Sequence, residues 1–147
     1  MKFASKEKNK ITKLPMDAAG DILGRRAYSS HDLADKLLEK GYTEKEVAET
    51  IASLLEYGYL DDADYARRFV EQAVRNGKGN GYIRNKLALS GIPKDLIPEP
   101  EGEFERAMEV ANKMPGKTPE QIGRRLASRG FAMTTVYKVM SNLDKSR

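Results

Sequence analysis

The residues able to do chemistry in this chain are few, and their spacing does not build a catalytic or metal site. The only histidine, His31, stands beside Ser30 and Asp32 at the start of an expected helix. No cysteine or second histidine accompanies it at ligand spacing. One imidazole alone makes neither a catalytic triad nor a zinc site. We therefore interpret His31 as a surface or capping residue.

The carboxylates Asp61, Asp62 and Asp64 form the only cluster that resembles a two-metal nuclease site. Adjacent aspartates point apart on a helix, however, and no further carboxylate motif completes such a site. Capping of a helix is the better interpretation. The segment Gly77–Gly81 lacks both the lysine-serine or lysine-threonine ending and the preceding strand of a phosphate-binding loop. We predict no catalytic residue, no cofactor and no metal, and hence no enzyme.

The basic residues favour a binding function. Arg68 and Arg75 lie seven positions apart and so share one helix face, while Arg67 and Glu71 form an i, i+4 pair. Arginine makes bidentate contacts with phosphate or carboxylate, so these side chains could follow a DNA backbone or an acidic protein surface. The alternative is that they only keep solvated faces soluble. The predicted partner-binding residues are Arg67, Arg68, Arg75, Lys78, Arg84, Lys86, Arg124, Arg125 and Arg129.

Charge is segregated along the chain, although the net charge is only +4. From Asp32 to Asp64 there are ten carboxylates against three lysines. From Arg67 to Lys86 six basic residues face one glutamate, and from Lys113 to the end eight face two carboxylates. Fields of opposite sign on one molecule favour a polar partner, either nucleic acid or a charged protein groove.

A repeated pattern predicts the elements that position these charges. Three glycines are each preceded by a leucine four positions earlier and by a branched apolar residue eight positions earlier. An apolar pair at i, i+4 followed by glycine is typical of a short helix that a left-handed glycine ends. The residue before each leucine is basic. The trios are Leu33, Leu37 and Gly41; Ile83, Leu87 and Gly91; and Ile122, Leu126 and Gly130.

The helices that carry these trios, here named the repeat helices, recur at a period typical of tandem modules. No segment alternates with period two, so we predict an all-α, elongated array of three tandem three-helix modules that resemble helix-turn-helix units. The prolines at 98 and 100 mark one boundary. We expect a lysine-rich disordered tail at residues 1–14, and modules at residues 15–58, 59–98 and 99–147.

Local signals add detail. Capping boxes at Thr43 and Thr118 predict two helix starts, and a short helix is expected over residues 17–27. A further helix should begin at Pro93 and stop within about two turns. The segment Gly77–Gly81 is interpreted as a flexible basic turn. Core packing between modules is expected for Tyr59, Leu60 and Tyr65.

The absence of cysteine favours a reducing compartment. No apolar run approaches the ~20 residues that span a bilayer, and the lysine-rich start lacks the apolar segment of a secretory signal. We therefore expect a soluble, cytoplasmic protein.

The chain resembles the RecX regulatory proteins at several motifs in the family's order. Residues 26–42 resemble the family's opening module, and residues 58–62 followed by Tyr65 resemble its most recognisable motif. Residues 78–87 with Gly91, and then residues 126–131, continue the series. The motif residues are Gly41, Leu60, Asp61, Asp62, Tyr65, Gly91 and Gly130.

This resemblance implies tandem three-helix repeats and binding to the RecA recombinase or its filament on single-stranded DNA. We expect the protein to be a monomer. It implies modulation of filament assembly, ATP hydrolysis and strand exchange, in DNA repair, recombination and the SOS response. Inhibition is the favoured direction, and assistance stays open. The prolines at 98 and 100 depart from the family, which usually continues a longer helix there, and so leave the placement of the third module open. Two alternatives remain: direct DNA binding by helix-turn-helix-like modules, and an interaction scaffold that uses the acidic Asp32–Asp64 stretch.

Overall fold

The fold is all-helical, as the sequence predicts. The computed structural model describes residues 12–145, and within that range there are eight α-helices, one turn of 3-10 helix and no β-strand. The 3-10 turn, Lys94–Leu96, lies between α5 and α6. The helices are α1 (Pro15–Leu23), α2 (Ser30–Glu39), α3 (Glu44–Glu56), α4 (Asp62–Arg75), α5 (Asn80–Leu89), α6 (Glu103–Asn112), α7 (Pro119–Ser128) and α8 (Met133–Lys145).

The chain divides into two compact units. The first ends at Tyr65 and also includes Ser90–Ile92, and the second consists of Ala66–Leu89 and the residues from Pro93 onward. The division into three modules at residues 15–58, 59–98 and 99–147 stays a prediction. Of the expected tail, residues 1–11 lie outside the described residues, as do residues 146 and 147. Lys13 is described, and its carbonyl accepts a hydrogen bond of 2.8 Å from the Tyr42 hydroxyl.

The core of the first unit forms where the apolar stripes of α1, α2 and α3 meet. Leu60 belongs to this core, whereas Tyr59 is 73% exposed, so the expectation that Tyr59 packs inside is wrong. Gly58, at φ +80°, turns the chain after α3, and Leu60 takes the inward position that follows the turn. The buried residues are Ala18, Ala19, Ile22, Leu33, Leu37, Tyr42, Val47, Leu54 and Leu60.

In the second unit, α6, α7 and α8 pack around a second apolar cluster, and the Thr118 capping box that starts α7 is present as predicted. Ile83 and Leu87 of α5 and Val70 of α4 are also buried. The buried members of the cluster are Ala107, Ala111, Ile122, Leu126, Phe131, Val136 and Val139.

Glycine ends each repeat helix in the predicted way. Gly41, Gly91 and Gly130 have φ of 107°, 76° and 92°, in the left-handed region that favours glycine. After the glycine the chain folds back, so the N–H of Tyr42 donates to the Leu37 carbonyl at 3.3 Å. The residue after each of the three glycines is at most 7% exposed. The positive φ and the inward return of the next residue are thus confirmed.

Two helix predictions were wrong in extent. The first helix covers Pro15–Leu23 rather than residues 17–27, because Pro15 occupies its first turn and Gly24 ends it. The segment after Pro93 forms only the 3-10 turn Lys94–Leu96. Prolines at 98 and 100 cannot donate the backbone hydrogen bonds that would extend this turn.

Burial on α5 predicts a contrast between two of its leucines. Leu87 is 0% exposed and Leu89 is 75% exposed. Leu87→Ala should lower the free energy of unfolding by about 2–5 kcal/mol, because it leaves a cavity in the core. Leu89→Ala should change it by less than about 0.5 kcal/mol. Urea denaturation followed by circular dichroism measures both, and equal losses would contradict this assignment of the core.

Candidate interaction site

Helix α4 presents the first group of predicted binding residues. Asp61 caps the helix, since its Oδ1 accepts the Asp64 N–H at 3.0 Å. Arg67, Arg68 and Arg75 are all exposed along the helix. Arg67 Nη1 lies 3.7 Å from Glu71 Oε2, which is the predicted i, i+4 pair. An exposed pair of this kind contributes less than about 1 kcal/mol to stability.

The turn between α4 and α5 is closely packed rather than flexible, which corrects the sequence interpretation. The Gly79 N–H donates to the Arg129 carbonyl at 2.8 Å, and the Gly81 N–H donates to the Gly130 carbonyl at 2.9 Å. A Cβ on Gly79 would overlap the backbone of Gly130 and Phe131. The glycines therefore permit two backbone segments to approach each other closely.

Lys78 and Lys86 lie beside the Tyr82 ring. Their Nζ atoms are 4.8 and 5.8 Å from the ring centroid, within the range of a cation–π interaction. The Tyr82 ring itself stacks with Phe69 of α4, at a centroid separation of 6.3 Å. Arg84, on the exposed side of α5, lies 3.7 Å from Glu99. The lysines of the basic stretch are thus held around one aromatic ring.

Arg124 and Arg125 are exposed on α7 and line a shallow cavity of about 300 Å³. Lys117, Gln121 and Ser128 complete its lining.

Arg129 differs from the other predicted binding residues. Its Nη1 donates to the Asn76 carbonyl at 3.2 Å and lies 3.5 Å from the Gly77 carbonyl. It therefore satisfies carbonyls at the C-terminus of α4. Sequence reasoning missed this role, since no local signal relates positions 76 and 129.

Two acidic residues that sequence reasoning did not link have equivalent roles. Asp62, the first residue of α4, accepts the Ser30 N–H at 2.8 Å and the Ser30 hydroxyl at 2.6 Å. Glu103, the first residue of α6, accepts the Asn80 N–H at 3.0 Å. Ser30 and Asn80 are each the first residue of a repeat helix. In both units, an acidic residue that begins one helix thus binds the N-terminus of the preceding repeat helix.

Glu103 is the centre of a hydrogen-bond network in the second unit. Besides Asn80, it accepts the Thr135 hydroxyl at 2.7 Å and the Ala132 N–H at 3.3 Å. Burial alone would raise the pKa of Glu103, but these three hydrogen bonds and the nearby Arg106 charge hold it below its ordinary value of 4.5. Arg106 in turn donates to the Asn80 side-chain oxygen at 2.8 Å. The network joins the starts of α5, α6 and α8.

Within residues 12–145, one group of metal-ligand residue types comes together: His31, Asp32 and Asp35, with ligand atoms within 4.8 Å of one another. His31 Nε2 lies 3.4 Å from Asp35 Oδ2, one turn further along α2. Both side chains are exposed, and this i, i+4 contact accounts for their proximity.

None of the helices between residues 12 and 145 is both long and apolar enough to cross a membrane.

The fold and these surfaces define an all-helical protein whose short helices form two compact units with exposed basic residues. The family model "RecX, first three-helix domain" matches residues 16–54, and the model "RecX, second three-helix domain" matches residues 61–99. Together they match more than half of the chain.

Curated relatives support the same family as the two family models. The chain is 30% identical over 138 residues to Regulatory protein RecX of Vibrio vulnificus, which covers 86% of this chain and 90% of the relative. It is 34% identical over 133 residues to Regulatory protein RecX of Acidithiobacillus ferrooxidans, with coverage of 86% and 88%. The chain therefore belongs to the RecX family of regulatory proteins.

Solved structures share the fold. The crystal structure of RecX from Lactobacillus salivarius superposes with a TM-score of 0.76 at 19% identity, over 95% of this chain and 98% of that one. A second crystal structure, of regulatory protein RecX, gives a TM-score of 0.71 at 25% identity, over 92% and 72%. Both crystal structures thus share the all-helical fold of this chain.

The Glu103 network predicts a pH-dependent contribution to stability. The folded-state pKa is lowered, so the carboxylate stabilises the fold above its ordinary pKa of 4.5, and this contribution is lost as pH falls through the lower folded value. Glu103→Gln should lower the free energy of unfolding by about 1–2 kcal/mol at neutral pH. The difference in the free energy of unfolding between Glu103→Gln and the wild type should become smaller below pH 4.5.

Glu105→Gln provides the matched control, because Glu105 is exposed on the same helix. It should leave the free energy of unfolding nearly unchanged in urea titrations across this pH range. A constant difference between Glu103→Gln and the wild type at every pH would contradict the assigned role of Glu103.

Proposed function

We propose that this chain regulates the RecA recombinase as a monomer in the cytoplasm. It binds RecA, or the RecA filament on single-stranded DNA, and limits filament assembly, ATP hydrolysis and strand exchange. This activity belongs to DNA repair and the SOS response. The observation that carries the proposal is membership of the RecX family, supported by two family models and by relatives that match 86% of the chain.

The basic surface of the second unit is the proposed docking face. It consists of exposed arginines on α4, with Lys78, Arg84 and Lys86 at and beyond the following turn. Arg68 and Arg75 are its centre, because they lie seven positions apart and are both exposed on one face of α4. Arg129 is left out, because its guanidinium is bound to carbonyls at the end of α4.

The distribution of charge supports a filament rather than bare DNA as the partner. A filament offers protein side chains as well as phosphates, whereas bare DNA offers a nearly uniform negative backbone. The exposed side of α3 carries Glu44, Glu46, Glu49 and Glu56, which a DNA backbone would repel. The alternation of acidic and basic stretches therefore complements a mixed surface better.

Direct DNA binding is the second candidate. It is favoured by the exposed arginines of α7, which carries Arg124 and Arg125 on one shallow cavity. A protein of this kind would bind DNA without RecA, and its affinity would fall steeply with salt.

The proposed function predicts loss of RecA ATP hydrolysis on circular single-stranded DNA. Titration of the chain from well below to equal the RecA concentration should inhibit hydrolysis at substoichiometric amounts, because a filament-bound regulator affects many RecA subunits. Arg68→Glu with Arg75→Glu should require at least about tenfold more protein for the same inhibition, since charge reversal at a docking face costs several kcal/mol.

Lys45→Glu with Lys145→Glu is the control, because it reverses two exposed charges on α3 and α8, which carry none of the residues of the proposed face. It should inhibit as the wild type does. No inhibition by the wild type at equimolar amounts would reject the proposed function. Equal inhibition by wild type and the Arg68, Arg75 variant would reject the docking face alone.

A further inference from the structure

Two shallow cavities occupy equivalent places on two of the repeat helices. The cavity on α7 measures about 300 Å³ and is lined by Lys117, Gln121, Arg124, Arg125 and Ser128. The cavity beside α2, in the first unit, measures about 240 Å³ and is lined by Ile22, Arg25, Tyr28, Lys36, Glu39 and Lys40. Each unit thus carries a basic concavity against a repeat helix.

The equivalence follows from the register of the repeat. Lys36 and Arg125 each directly precede the leucine of their trio, and the residues eight positions earlier, Tyr28 and Lys117, line the same two cavities. The basic residue before the trio leucine therefore lines a cavity on both α2 and α7.

The middle repeat helix follows the same register. Lys86 directly precedes Leu87, and Lys78 lies eight positions before Lys86. Both ammonium groups lie against the Tyr82 ring, at 4.8 and 5.8 Å from its centroid. Positive charge is thus placed at this register position in all three repeat helices.

The α7 cavity is rich in hydrogen-bond donors. Gln121 uses its side-chain oxygen to accept the Thr118 N–H at 2.9 Å, which leaves its amide N–H groups to donate. Arg124 and Arg125 add two guanidinium groups, and Lys117 adds an ammonium group. No carboxylate lines this cavity. The lining is therefore complementary to an anion.

We propose that the α7 cavity binds a phosphate group, with Arg124, Arg125 and the Gln121 amide as its ligands. A carboxylate is satisfied by a single bidentate arginine, whereas two guanidinium groups and an amide match the several oxygens of a tetrahedral phosphate. The phosphate can belong to a nucleic-acid strand or to a free phosphate compound. The expectation that the phosphate belongs to a nucleic-acid strand rests on the proposed function, whereas the phosphate site itself does not.

The test uses the whole chain without RecA, so its outcome is independent of the ATP hydrolysis assay. Amide chemical shifts are followed by NMR during separate titrations with inorganic pyrophosphate, a short oligothymidylate and a glutamate-rich peptide. The amides of residues 121–128 should shift with a phosphate probe. Arg124→Gln with Arg125→Gln should weaken binding at least about tenfold, because it removes both guanidinium ligands of the phosphate.

Salt dependence gives a second measurement for the oligothymidylate. The double variant should reduce the slope of log affinity against log salt by about 0.7, since the cavity binds one phosphate and each neutralised phosphate of a single strand contributes about 0.7. The control, Lys45→Gln with Lys145→Gln, removes two exposed charges outside the cavity. It should keep wild-type affinity for pyrophosphate, and the shifts at residues 121–128 should remain.

Each outcome decides the proposal. Shifts with both phosphate probes, or with only one, support the site, and the probe that binds identifies the source of the phosphate. Tighter binding of the glutamate-rich peptide at these residues would overturn it in favour of an acidic protein surface. It would also be overturned if no probe shifted these amides, or if the control variant lost as much affinity as the cavity variant.

Discussion

Close backbone approach at the ends of the repeat helices is the constraint on which the rest of the structure depends. In the second unit, the Gly79 and Gly81 N–H groups donate to the carbonyls of Arg129 and Gly130 at 2.8 and 2.9 Å. A Cβ on Gly130 would lie 2.5 Å from the Tyr82 backbone nitrogen. In the first unit, the Ser29 hydroxyl donates to the Ser90 carbonyl at 2.7 Å, and a Cβ on Gly91 would overlap His31. Gly91 and Gly130 thus each end one repeat helix and contact the start of the preceding repeat helix. These contacts determine where the neighbouring charged side chains lie.

Local features of the fold were predictable from the sequence. The Thr43 and Thr118 capping boxes and the left-handed conformation of Gly41 depend only on neighbouring residues, so their residue types suffice. Tyr59 and the turn at Gly77–Gly81 were not predictable, because their surroundings are set by distant segments. Tyr59 is exposed and Gly79 is buried. The local sequence does not indicate either outcome, because contacts with distant segments decide which residues are buried.

In the candidate site, too, some features follow from neighbouring residues and others depend on distant segments. The exposure of Arg68, Arg75, Arg124 and Arg125 agrees with their helical spacing. The engagement of Arg129 with the end of α4, and of Glu103 with the starts of α5 and α8, depends on contacts across 23 to 53 residues. The sequence therefore predicts which charged residues are exposed on a helix. Whether such a residue is available to a partner or stabilises the fold is decided by the three-dimensional packing.

The preference for a filament over bare DNA is the central functional claim, and one measurement tests it directly. The chain carries a fluorophore, and its anisotropy is recorded against single-stranded DNA alone and against the same DNA covered by RecA, at the same salt concentration. We predict at least about tenfold tighter binding to the covered DNA, with a weaker salt dependence than for bare DNA, because protein contacts replace part of the phosphate contacts. Equal affinity and equal salt dependence on the two substrates would contradict the account and favour a direct DNA-binding protein.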